Sequence, residues 1–185
     1  MSRPQIIDDE RLVATLAGVF REMGYEGASL AQLSGAAGLQ KASLYHRFPG
    51  GKKAMADEVL ARASDWMQAQ VIGPLTGPCT PRARVAAVAA RLDAFYDGGR
   101  KACLLNMLAA PRDGDGPFAP AIREAFASLI AAFAAPARDA GHRDAEARAE
   151  RAVAGMQGAL VLSRGLGDPG PWTRFLDGLA GELLE

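Results

Sequence analysis

The sequence predicts an all-α chain, and three observations predict it. About half the residues are hydrophobic (49%) while only 6% are aromatic, so a core must be built mainly from Ala, Leu and Val. Alanine loses no side-chain entropy on entering a helix, and such a composition favours helices. No window alternates β-branched with polar residues, the mark of a half-buried strand. Apolar residues recur instead at helical spacing in segment after segment.

A first helix can be capped by Asp8 or Asp9. Leu12, Leu16, Val19, Phe20 and Met23 form its stripe, and Gly24 ends it. Ser29 with Gln32 three residues on is a capping-box pair for a second helix. Leu30, Leu33 and Ala37 share its apolar face, and Gly38 stands where a left-handed residue closes a helix. A third helix starts near Lys41 and stops before Pro49-Gly50-Gly51. On a helical wheel it turns Leu44 and Phe48 inward, and Ala42, Ser43, Tyr45 and His46 outward. A fourth helix covers 52–72, with Met55, Val59 and Trp66 along one side, and stops at Gly73-Pro74.

Five more helices follow that break, making about nine in all. The first covers 82–97 and buries Val85, Val88, Leu92, Phe95 and Tyr96. A short apolar one covers 102–110, and a loop covers 111–117. The last three cover 118–139, 144–166 and 171–184. Asp144 lies four residues before Arg148, the spacing of a weak helical ion pair.

Composition narrows the function. A length of 185 residues allows one large or two small domains. Lys and Arg number 21 against 21 Asp and Glu, and a net charge of zero argues against a general polyanion binder. Cys79 and Cys103 have no metal-ligand spacing, which favours a reduced, cytoplasmic protein. The segment MSRPQIIDDE lacks a signal-peptide core, and the longest apolar run, 125–137, is too short to span a bilayer. His46 and His142 have no nucleophile arrangement around them, and Asp113 and Asp115 lack the further carboxylate of a calcium loop. Neither catalysis, a metal nor a cofactor is expected.

One stretch departs from neutrality. Between Gly27 and Ala56 there is no Asp or Glu, while Lys41, Arg47, Lys52 and Lys53 are all present. A short helix with small and polar outward residues in a positive field suits a DNA major groove. The same features also describe a solvated helical hairpin.

The run YEGASLAQLSGAAGLQKASLYHRFPGGKKAMADEVL, residues 25–60, resembles the N-terminal domain of the TetR family of bacterial transcriptional regulators. Gly24-Tyr25, Ser29, Ala37-Gly38, the Leu44-Tyr45 pair and Phe48 match the family pattern in order and spacing. Two features depart from it: Gln40 stands where Ser or Thr is usual, and the Pro49-Gly50-Gly51 linker is one residue longer than the common form. The resemblance implies three parts: a helix-turn-helix DNA-binding domain over 1–51 with its motif at 29–48, a connecting helix over 52–72, and a ligand-binding and dimerisation domain over 73–185. It also implies a homodimer on a palindromic operator in double-stranded DNA, and repression relieved by a small molecule. Ser43, Tyr45, His46 and Lys52 are then expected on phosphates, Lys41 and Ala42 near base edges, and Ser29 and Gln40 at the same surface.

The C-terminal half offers fewer marks. Ala152, Gly155 and Ala159 place small residues on one stripe, and Trp172, Phe175, Leu176 and Leu179 give the final helix an apolar face. Such faces serve a partner or the chain's own core equally well. The resemblance favours a dimer interface. Trp66, Met67, Phe95, Tyr96, Cys103, Met107, Phe126 and Ile130 are candidates for the wall of a ligand pocket, one suited to an apolar or aromatic small-molecule effector. A regulator that answers no ligand, and an all-α protein-interaction module, remain as alternatives.

Overall fold

The computed structural model describes residues 8–109 and 116–185. The expected loop over 111–117 falls mostly outside them. Every regular element among the described residues is helical. The chain forms two compact units, and they cut it differently from boundaries at 51 and 72. One unit comprises Met1–Ala63 with Leu104–Phe118; the other comprises Ser64–Cys103 with Ala119–Glu185.

The first unit contains α1 (Asp9–Gly27), α2 (Leu30–Ala37), α3 (Lys41–Arg47), most of α4 (Gly51–Met67) and α7 (Leu104–Leu108). Asp8 is at the N-cap of α1 but makes no side-chain cap bond; Asp9 and Glu10 in the first turn suit the helix dipole instead. The buried stripe of α1 ends at Phe20, because Val19 is half-buried and Met23 is 43% exposed. Around it close Leu33, Leu44, Met55, Val59 and Phe118, all buried. The unit thus borrows α7 and Phe118 from a part of the sequence that reads as belonging to the C-terminal half.

Gly24 breaks α1 with φ 69° and ψ 177°, a backbone that side chains disfavour. A Cβ there would also lie 3.2 Å from the Met107 carbonyl oxygen of α7. Gly24→Ala is therefore expected to cost about 1–3 kcal/mol. A thermal melt checks this; an unchanged midpoint would show that the break can relax at no cost.

The second unit contains the end of α4, α5 (Gly73–Leu75), α6 (Pro81–Tyr96), α8 (Ala119–Asp139), α9 (Ala145–Leu166) and α10 (Gly170–Leu184). The expected stop at Gly73-Pro74 does not occur. A π turn, Gln68–Ile72, carries the helix into α5, and the rod ends after Leu75. With α5 taken as its last turn, nine helices are present among the described residues. Pro74 has no N–H to donate, and its ring crowds the carbonyl four residues back. The wider turn accommodates it: the Gly73 N–H donates to the Gln68 carbonyl, five residues back. Arg91 of α6 supplies the missing donor to the Gln70 carbonyl at 3.1 Å. Two turns earlier on α6, buried Arg84 donates to the Leu75 carbonyl at 2.8 Å and pairs with Asp139.

Trp172 anchors α10. Its ring is fully buried, its indole N–H donates to Asp93 at 2.9 Å, and its backbone N–H donates to the Ser163 hydroxyl at 3.0 Å. Rings touch in series from Trp66 to Phe95 (3.9 Å), Tyr96 (5.0 Å), Trp172 (5.4 Å) and Phe175 (5.4 Å between centroids). The Asp144–Arg148 pair forms at 3.0 Å. Among the described residues no helix is long and apolar enough to cross a membrane.

Candidate nucleic-acid interface

The α2–turn–α3 segment is set by its caps. The Ser29 hydroxyl accepts from the Gln32 N–H at 3.2 Å, and the Ser29 N–H donates to the Gln32 side chain at 2.9 Å. This closes the capping box that the spacing predicts. The Ser29 hydroxyl also donates to Gln32 at 2.7 Å, so its first role is to hold α2. Gly38 takes the left-handed conformation, φ 63°, and turns the chain into α3. Gln40 at the α3 N-cap makes no side-chain cap bond. Gln40→Ser should therefore stabilise the chain by about 0.5–1 kcal/mol, readable as a raised urea midpoint; a lowered midpoint would mean that Gln40 has a structural role.

Leu44 fixes the roll of α3, being 1% exposed, while Phe48 just beyond its end is half-buried. The opposite face presents Lys41, Ala42, Ser43, Tyr45 and His46, all exposed. Lys41 has no hydrogen-bond or ion-pair partner among the described residues. Tyr45 leans on the start of α4: a Cβ on Gly51 would lie 3.4 Å from its ring, and Gly51 has φ 63°. The phenol thus stands beside the recognition face on a glycine that leaves room for it.

The positive field is narrower than the sequence suggests. Arg47 pairs with Asp9 of α1, and Lys53 pairs with Asp57 at 2.8 Å. Both carboxylates lie outside the acid-free stretch 27–56 and return to it through folding. Lys52, expected on a phosphate, donates to the Tyr25 carbonyl at 2.8 Å and sits 4.5 Å above the Tyr25 ring. Tyr25 meets Phe118 edge-on at 4.8 Å. Burial, and then nearby Glu26, push the Tyr25 phenol above its usual pKa. Lys52 and Tyr25 therefore brace α4 against the end of α1, a role that sequence reasoning missed.

The C-terminal candidates separate. Trp66, Met67, Phe95, Phe126 and Ile130 are half-buried, and Tyr96 and Cys103 are buried, all in the second unit. Met107 belongs to the first unit, against Gly24. Of the interface candidates, Ala152, Ala159, Trp172 and Leu179 are buried within this chain, where α9 and α10 pack together. Gly155 lies under the Phe175 ring at 3.6 Å, and Phe175 and Leu176 are half-buried. Gly155 lets the Phe175 ring of α10 approach α9, and most of that set is buried within the chain. The large apolar residues of α9 that stand exposed are Val161, Leu162 and Leu166.

Residues 12–59 match the family described as bacterial regulatory proteins, tetR family. The chain is 23% identical over 159 residues to the HTH-type transcriptional regulator LmrA of Bacillus subtilis (strain 168), covering 83% of this chain and 85% of that one. Its fold is similar to that of a TetR transcriptional regulator from Legionella pneumophila, with a TM-score of 0.81 at 17% identity over 97% of this chain and 99% of that one. It is also similar to a cysteine mutant of the TetR family transcriptional regulator CifR complexed with 26 bp double-strand operator DNA, with a TM-score of 0.74 at 25% identity over 98% of both chains. With the capped α2–α3 turn and the exposed face of α3, these likenesses make residues 12–59 a tetR-family DNA-binding domain and give the chain the fold of TetR-family transcriptional regulators.

Proposed function

We propose that this regulator is a cytoplasmic repressor that binds a palindromic operator as a homodimer and is released by a small molecule. The observation that carries this reading is the outward face of α3, where Lys41, Ala42, Ser43, Tyr45 and His46 stand exposed on a helix rolled into place by Leu44. Lys41 and Ala42 are assigned to base edges, and Ser43, Tyr45 and His46 to phosphates, which position the helix without reading sequence. Lys52 acts mainly by holding α4. The operator complex of the similar regulator CifR supports double-stranded DNA as the partner. On this reading 1–51 binds DNA, 52–72 connects, and 73–185 carries the ligand and dimer surfaces.

Two-fold pairing rests on α9. Val161, Leu162 and Leu166 are 59%, 54% and 68% exposed, an apolar row that water penalises in a lone chain. Light scattering at micromolar concentration should return twice the chain mass, and Leu162→Glu with Leu166→Glu should return one. A folded wild-type monomer would remove the basis for paired half-sites and favour the interaction-module reading.

A further inference from the structure

Four residues of the second unit form two rungs between the α4 rod and α6. Trp66 and Gln70 are four apart on the rod; Arg91 and Phe95 are four apart on α6, so each pair lies along one helix face. On one rung the Trp66 and Phe95 rings stack at 3.9 Å with planes 19° apart. On the other, Arg91 donates to the Gln70 carbonyl at 3.1 Å. Trp66, Phe95 and Arg91 are all half-buried, so part of each is open to solvent.

Arg91 differs in charge balance from Arg84 and Arg148, the other buried or half-buried arginines of this unit. Arg84, Arg138, Arg148 and Arg151 of the same unit each face a carboxylate. Arg91 has no carboxylate within ion-pairing distance among the described residues, and one backbone carbonyl is its recorded acceptor. A guanidinium offers five donors in a planar fork that fits a carboxylate with two parallel bonds. A half-buried guanidinium with no carboxylate partner among the described residues, one helical turn from a stacked pair of rings, carries the donors that an anion with a flat apolar body requires. One positive charge balances one negative charge, so a carboxylate fits better than a phosphate ester, which carries nearly two.

We propose that the effector of this chain is an aromatic carboxylate, its ring against Trp66 and Phe95 and its carboxylate on Arg91. This rests on the reading of the chain as a ligand-released regulator and changes the ligand class that the sequence suggests, from apolar or aromatic to an aromatic anion. The seat also carries the response. Pro74 cannot donate to the Gln70 carbonyl, and Arg91 stands in for it. A carboxylate that takes Arg91 leaves that carbonyl without its donor and removes one tie between the π turn and α6. Ligand binding and the present setting of the rod then oppose each other, which is the differential affinity that a switch requires.

Calorimetry with 2-naphthoate and its neutral analogue 2-naphthamide tests the site on the full-length chain. The wild type should bind the carboxylate at least tenfold more tightly. Arg91→Gln should abolish that preference, Arg91→Lys should keep part of it, and Trp66→Ala should weaken both compounds alike. Equal binding of the two compounds, no binding of either at millimolar concentration, or a preference that survives Arg91→Gln would overturn the proposal. A second arm uses the tightest duplex that the wild type selects from a randomised pool. There 2-naphthoate should weaken wild-type binding at least tenfold and leave Arg91→Gln unaffected; an equal effect on both proteins would overturn the role given to Arg91. If the wild type selects no duplex, the regulator reading falls, while the calorimetric preference still decides the site.

Discussion

Gly99→Ala is expected to destabilise the chain by roughly 2–6 kcal/mol, combining the usual ranges for backbone strain and overpacking. Gly99 has φ 83°, a conformation that favours glycine. A Cβ there would lie 2.6 Å from the Cβ of Trp172 and 2.8 Å from its ring. Trp172 cannot retreat cheaply, because it is fully buried and tied to Asp93 and Ser163 by two hydrogen bonds. A domain of this size is stable by about 5–15 kcal/mol, so a loss at the upper end leaves a poorly folded protein. Gly18→Ala is the control: Gly18 lies inside α1 with nothing within 4 Å of the added atom, and the change should be neutral or stabilising by about 0.5–1 kcal/mol. Urea denaturation of the two variants separates the cases. Similar midpoints would mean that the Gly99–Trp172 approach is not a constraint.

The second large effect is on DNA. Ala42→Glu should lower affinity for the selected duplex about a hundredfold or more, because like charges brought together cost several kcal/mol. Ala42 is exposed in the first turn of α3, where an acid suits the helix dipole, so stability should hold or rise slightly. Lost binding without lost stability distinguishes a contact surface from a structural element. Tyr45→Phe should weaken binding to all duplexes alike, since the phenol is assigned to a phosphate, whereas Lys41→Ala should change the preference between them. Anisotropy with matched specific and random duplexes reads all three. Unchanged affinity in Ala42→Glu would place α3 away from the groove.

The first unit was legible because its signals are local. A capping box, a left-handed glycine and an apolar residue every three or four positions act within a few residues of themselves, and Ser29, Gly38 and Leu44 stand as the spacing predicts. Partners brought from a distance were not legible. Asp9 neutralises Arg47 across 38 positions, and Lys52 reaches the Tyr25 carbonyl across 27. The π turn was missed because a proline normally ends a helix, and the donor that lets the rod pass Pro74 comes from Arg91 on another helix. The small-residue stripe on α9 shows close helix approach but not which helix approaches. Here Phe175 of α10 meets Gly155, and the exposed residues Val161, Leu162 and Leu166 lie elsewhere on α9.

On the proposed function, a pair of α3 helices reads a two-fold DNA sequence. The most direct test is selection of duplexes from a randomised pool by the wild-type chain, followed by sequencing. The enriched pool should contain an inverted repeat whose half-sites are about one helical turn, roughly 34–36 Å, apart or at a spacing the DNA can follow, with affinity that falls steeply as salt rises. A pool that returns unenriched, bound weakly and equally whatever its sequence, would contradict that function.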